Sequence, residues 1–90
     1  MQRHAPKVQL SEFIKAWIAE HKGFDAETLD TKKHLFQAGY LDSLGLFRLI
    51  FDVESEFDVE FDQNELFRTG AIDIDALSEA MSQCVLSESN

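Results

Sequence analysis

The stretch AGYLDSLGLF, Ala38 to Phe47, decides how the chain is read. A glycine-bearing loop gives way there to Asp42 and Ser43, and an apolar run follows. Aspartate and serine suit the start of a helix and are poor in its interior, because their short polar side chains compete for backbone groups. A helix is therefore expected from about Ser43 to Phe57, with Asp42 or Ser43 near its N-cap. Ser43 then either starts a helix and nothing more, or also carries chemistry.

On a wheel of about 100° per residue with Ser43 at zero, Leu46, Leu49, Ile50, Val53 and Phe57 fall between roughly 240° and 340°. That arc is a core stripe of ordinary width. Leu44, Phe47 and Phe51 fall near 100°, 40° and 80°, with Arg48 flanking them at about 140°. A helix on the outside of a small bundle has no need of two aromatic rings away from its core. The three residues are expected to form an exposed apolar patch beside Ser43, of the kind that marks an interaction site.

Working outward, Leu10, Phe13, Ile14, Trp17 and Ile18 recur at helical spacing, so a first amphipathic helix is expected over Val8–His21, ended by Gly23. Residues 22–42 form a connection too long to lack structure or purpose. Leu29, Leu35 and Phe36 are its expected anchors into the core, with a short helical turn starting at Asp30 and broken by Gly39. Beyond the second helix, Asp62 and Glu65 form a capping pair for a short helix over Gln63–Arg68, stopped by Gly70. A last helix is expected from Ile74 to Leu86, started by Asp73 or Asp75, with Leu77, Met81, Cys84 and Val85 on one face. Residues 1–7 and 87–90 read as disordered ends. The expected fold is all-α, a small bundle of three main helices and one short helix with a long first loop, in one domain of 90 residues.

Composition supports this and excludes several functions. The hydrophobic fraction of 44% and eight phenylalanines allow a core, while one proline and four glycines are few for an all-β chain of many turns. No apolar run is long enough to cross a bilayer and no signal peptide is apparent, so a soluble cytoplasmic protein is expected. The net charge of -9 is uneven: residues 1–48 carry a net +1 and residues 49–90 a net -10. Such a C-terminal half repels phosphate backbones and anionic lipid, which argues against nucleic acid and membrane as partners. The lone Cys84 excludes an intramolecular disulfide and reads as a small buried hydrophobe.

A hydrolytic serine needs a base and an oxyanion site. Here Gly-x-Ser-x-Gly is replaced by Leu-Asp-Ser-Leu-Gly, and the histidines are His4 in the frayed start, His21 and His34. Catalysis by Ser43 is not expected. Asp58, Glu60, Asp62 and Glu65 suggest a calcium loop, but counted from Asp58 the sixth and twelfth positions are Gln63 and Thr69 rather than glycine and glutamate. A solvated acidic face fits better, and no metal site is expected. A serine at a helix start can also accept a modification, because the helix N-terminus attracts a phosphate group.

The longer stretch LFQAGYLDSLGLFRLIFDVESEFDVEF, Leu35 to Phe61, resembles the central motif of acyl carrier proteins and related peptidyl and aminoacyl carriers. Gly39, Asp42, Ser43, Leu44, Leu49, Val53, Glu54, Glu56, Phe57, Val59 and Phe61 match that pattern in place. The resemblance implies a four-helix bundle whose Ser43 carries covalent 4′-phosphopantetheine, added from coenzyme A by a phosphopantetheinyl transferase that uses Mg²⁺. It further implies a non-catalytic monomer that holds an acyl or aminoacyl group as a thioester for a loading ligase and downstream transferases. Asp42 and Leu44 would guide the transferase, and Leu44, Phe47, Arg48, Phe51 and Glu54 would dock successive partners. Two departures point away from bulk fatty-acid synthesis. Gly39 and Asp42 are one residue further apart than in the usual fatty-acid form, a spacing similar to D-alanyl and other aminoacyl carriers. Phe47, Arg48 and Phe51 also stand where fatty-acid carriers are more acidic. Two other readings remain on the residues alone: a helical interaction module in which Ser43 is only a cap, and a weak calcium sensor using Asp58–Glu65.

Overall fold

The computed structural model describes residues 6–88, and side chains through Leu86. Helix α1 spans Lys7–Lys22, α2 Ser43–Phe57, α3 Gln63–Arg68 and α4 Ile74–Gln83. Two short strands, β1 Val59–Phe61 and β2 Val85–Glu88, complete the order. The protein is a small helical bundle with one minor two-stranded sheet. Met1 to Ala5 of the expected frayed start, including His4, lie outside the described residues, as do residues 89–90.

Each helix boundary has a local cause. Gly23 closes α1 in the left-handed region at φ 79°, where its N–H reaches the Ala19 carbonyl. Asp58 closes α2 at φ 58°, a conformation that aspartate tolerates better than most residues. Asp62 caps α3 by accepting from the Glu65 N–H at 3.1 Å. The reciprocal half of the expected pair is missing, because the Asp62 N–H donates to the Cys84 carbonyl at 2.7 Å. Of the two candidates at the start of α4, Asp73 is the cap and accepts from the Ala76 N–H at 2.6 Å.

The core joins one stripe from each helix. Leu10, Ile14, Trp17 and Ile18 of α1 meet Leu49, Ile50 and Val53 of α2, Leu66 of α3, and Ile74, Leu77 and Met81 of α4. Helix α1 packs most extensively on α4. Trp17 also ties α1 to α2, since its indole N–H donates to Asp52 Oδ2 at 2.6 Å. Phe57 is half-buried and sets its ring edge-on to Phe13 at 5.8 Å.

Three expectations are corrected. The last helix stops at Gln83, and Val85 to Glu88 pair antiparallel with β1, Val59 opposite Glu88 and Phe61 opposite Val85. Ser87 and Glu88 of the expected disordered tail belong to this strand. The strand wins because β1 buries Val59 and Phe61 while Glu60 faces out, and an extended partner satisfies its backbone. Second, Asp30 starts a single hydrogen-bonded turn, its carbonyl accepting from the Lys33 N–H at 3.2 Å, and no helix follows from it. A 3-10 turn lies earlier, at Ala26–Thr28, capped by Asp25, while Asp30 Oδ1 accepts from the Lys32 N–H at 2.9 Å in an Asx turn. Third, Phe36 is 44% exposed. Leu35 takes the core position, with its N–H on the Ile72 carbonyl at 2.6 Å, and the turn that follows points Phe36 outward.

The long connection is anchored by buried Leu29, Leu35, Tyr40 and Leu41. Tyr40 Oη accepts from the Asp30 N–H at 3.1 Å, and its ring stands edge-on to Phe24 at 5.0 Å. The connection is also clamped to α4 through charge. Asp75 lies 2.7 Å from Lys32 Nζ in the connection and 3.0 Å from Lys7 Nζ on α1. Hydrogen bonds from Lys32 and then Lys7 hold the Asp75 carboxyl below its ordinary value of 3.8. A depressed folded-state value means that the stabilisation is present above the ordinary carboxylate range and is lost as pH falls through the folded value. Asp75→Asn is therefore expected to lower stability at neutral pH, with the gap to wild type closing in acid. Urea midpoints measured from pH 7 down to the acid limb check this, and a gap that stays constant through that limb would refute it.

Candidate functional site

Ser43 is the first residue of α2 and is exposed. Its capping role belongs to its neighbour. Asp42 sits in extended conformation and its Oδ1 accepts from the Gly45 N–H at 2.6 Å. That bond, with Lys22 beside it, holds the Asp42 carboxyl below the usual carboxylate range. Ser43 is thus left exposed at the helix start with no capping task.

Gly45 is a residue whose role the sequence does not announce. A Cβ there would stand 2.9 Å from Asp42 Oδ1, closer than side-chain atoms tolerate. The missing side chain lets the capping carboxylate lie over the first turn. The first N–H groups of a helix have no carbonyl partner within it. Asp42 satisfies that of Gly45, and those of Ser43 and Leu44 are left without a helical partner at the end of the helix that attracts anions.

No histidine bonds Ser43 among the described residues. His21 Nδ1 donates to the Trp17 carbonyl at 2.9 Å, and its ring stacks on the indole at 4.0 Å. His34 Nδ1 accepts from the Phe36 and Gln37 N–H groups at 3.2 and 3.3 Å, which holds the turn after Leu35. Cys84 is half-buried beyond the end of α4, and burial, then Glu65 and Asp62, push its thiol up. It is a poor nucleophile. The acidic cluster does not converge: Asp62 caps α3, and Glu65 pairs with Arg68 at 3.0 Å. Among the described residues no three metal-ligating side chains gather, and no helix is long and apolar enough to cross a membrane.

Two grooves flank α2. One, of about 170 Å³, lies toward α1 and is lined by Trp17, His21, Lys22, Asp42, Leu44, Gly45 and Arg48. The other, of about 230 Å³, is apolar and is lined by Phe36, Leu46, Ile50, Leu66, Phe67 and Ile72 among others. Leu44 is 64% exposed, Phe51 63% and Phe47 43%. Phe47 is the more covered ring because Phe67 of α3 meets it edge-on at 5.5 Å. Arg48 is exposed. Glu54 has one oxygen engaged, Oε2 accepting from the Phe61 N–H at 2.9 Å to join α2 to β1.

An exposed serine at the first turn of a capped helix, with open N–H groups beside it, fits a phosphodiester. No curated protein and no solved structure matches the chain. A family model described as a phosphopantetheine attachment site matches residues 12–79, which takes in α1 from Glu12 onward, all of α2 and α3, and α4 as far as Glu79. The chain belongs to that family, and is a phosphopantetheine-bearing carrier domain of the acyl carrier type.

Proposed function

We propose that Ser43 is the residue that bears the prosthetic group and that the protein carries an acyl or aminoacyl group in a specialised pathway, as a single, monomeric, cytoplasmic domain. The observation that carries this is the division of labour at the start of α2: Asp42 caps, and Ser43 is exposed and unused. The attached group supplies a terminal thiol for a thioester. The chain's own residues present that group, recognise the enzymes that act on it, and keep the helix start rigid. Tethering raises the effective concentration of cargo at a docked partner.

Asp42 and Leu44, on either side of Ser43, are the proposed recognition points for the phosphopantetheinyl transferase. Leu44, Phe47 and Phe51 form the proposed docking surface for the loading ligase and later transferases, with Arg48 at its edge. Glu54 joins it through its second oxygen. The apolar groove between α2 and α3 favours an uncharged apolar cargo, because burying a charge there without a partner is costly. Arg48 on an otherwise acidic protein asks for a partner with an acidic group beside an apolar pocket.

Intact mass after incubation with coenzyme A and a phosphopantetheinyl transferase of broad specificity tests the attachment. One phosphopantetheine is expected, located by fragmentation at Ser43; no gain, or a gain elsewhere, would overturn the reading. Docking is tested by loading kinetics. Phe51→Ala removes a ring that the core does not use, so it is expected to slow loading roughly tenfold or more while shifting stability by about 0.5 kcal/mol or less. Phe47→Ala also loses its contact with Phe67, and is expected to cost about 1 kcal/mol of stability in addition. Parallel losses of loading and thermal stability in Phe51→Ala would return that ring to the core.

A further inference from the structure

The cations of this acidic protein are not spread evenly. Lys22 at the end of α1 and Arg48 in the second turn of α2 both line the groove beside Asp42, Leu44 and Gly45. Lys22 Nζ is 3.6 Å from Asp42 Oδ2 and balances the charge of the capping carboxylate. Arg48 would ordinarily pair with Asp52 one turn on. Asp52 is instead held by the Trp17 indole N–H at 2.6 Å, and Arg48 forms no ion pair among the described residues. Side chains on a helix lean toward its N-terminus, so a long side chain at position 48 sweeps back toward the first turn. The residues on both sides of Ser43 are walls of the same groove.

We infer that Lys22 and Arg48 form a clamp for the phosphodiester on Ser43, which lays the start of the prosthetic arm along the α1 side of α2. This rests on attachment at Ser43. A phosphodiester carries one negative charge at neutral pH, and the groove offers it Arg48, the Lys22 ammonium that it would share with Asp42, and the open N–H groups of the first turn. The stacked pair Trp17 and His21 also lines the groove, and offers apolar ring surface to the arm beyond its phosphate. The apolar groove on the other side of α2 has no cation in its lining and does not compete for the anion. The clamp gives the arm a resting position from which a docked partner, engaging Arg48, releases it.

Phosphorus-31 NMR of the full chain tests the clamp, after intact mass has shown one added phosphopantetheine. In wild-type holo protein the phosphodiester signal is expected to have the linewidth of the folded domain, and to sharpen and shift as NaCl is raised and screens the contact. In Lys22→Gln/Arg48→Gln holo protein it is expected to be sharp and insensitive to salt from the start. Equal linewidth and shift in wild type and double variant would overturn the clamp while leaving attachment intact. If the double variant is not modified, the wild-type salt titration decides alone, and a signal that is sharp at low salt overturns the clamp. Absence of any mass gain in wild type overturns attachment and clamp together.

Discussion

Ser43→Ala is expected to abolish the mass gain with coenzyme A and transferase completely, while leaving thermal stability within about 0.5 kcal/mol of wild type. The two halves of this result have separate causes. The hydroxyl is the only group on the first turn of α2 that can accept the phosphoryl group, so its removal leaves no substitute. The stability term is small because the cap is Asp42, whose carboxylate accepts from Gly45, and because alanine is the better helix former at an exposed position. If Ser43 were the cap, its loss would cost about 1 kcal/mol. Asp42→Ala supplies the contrast: it is expected to lose that capping energy and to slow modification by loosening the helix start. Mass spectrometry and thermal melts on the two variants check both halves, and a Ser43→Ala protein that melts as early as Asp42→Ala would return Ser43 to a structural role.

Leu49→Ala is expected to have the largest effect on the fold. Leu49 is fully buried on the face of α2 turned toward the core. Its truncation is expected to cost about 3 kcal/mol, from lost transfer energy and the cavity left behind. For a domain of this size that lowers Tm by roughly 12–24 °C. Total stability is of the order of 5–15 kcal/mol, so the variant folds with a narrow margin. Modification of Leu49→Ala at low temperature is expected to proceed, and to fail as the sample nears its lowered melting point. A variant that melts within a degree or two of wild type would mean that the core stripe of α2 is assigned wrongly.

The helices were legible because their causes are local. The spacing of Leu10, Ile14, Trp17 and Ile18 defines α1, and Asp42 and Asp73 stand where caps belong. The wheel also separated Leu49, Ile50 and Val53, which are buried, from Leu44, Phe47 and Phe51, which are exposed. The sheet was hidden for a physical reason. Cys84 and Val85 fall on the helical stripe of Leu77 and Met81, so period alone carries α4 onward into what is strand. Strands of three and four residues leave too few alternations to overrule it. Leu35 and Phe36 are adjacent and both apolar, and only the bond from the Leu35 N–H to the Ile72 carbonyl decides which one turns inward. The site depended even more on distance in the chain. The Trp17 indole that occupies Asp52 lies 35 residues away from it, and the Lys22–Asp42 contact crosses the whole long connection. The narrow space over Gly45 shows only once the Asp42 carboxylate is in place.

The β1–β2 pairing has a practical consequence. It fastens the last described residues beside the far end of α2, whereas Ser43 opens the near end. A helix of 15 residues is about 22 Å long. A dye, affinity handle or surface anchor joined after residue 88 therefore starts its course a full helix length from Ser43. The protein can be immobilised by that pole with the Ser43 end of α2 facing solution, an arrangement in which the proposed docking of successive enzymes is measured on a single captured molecule.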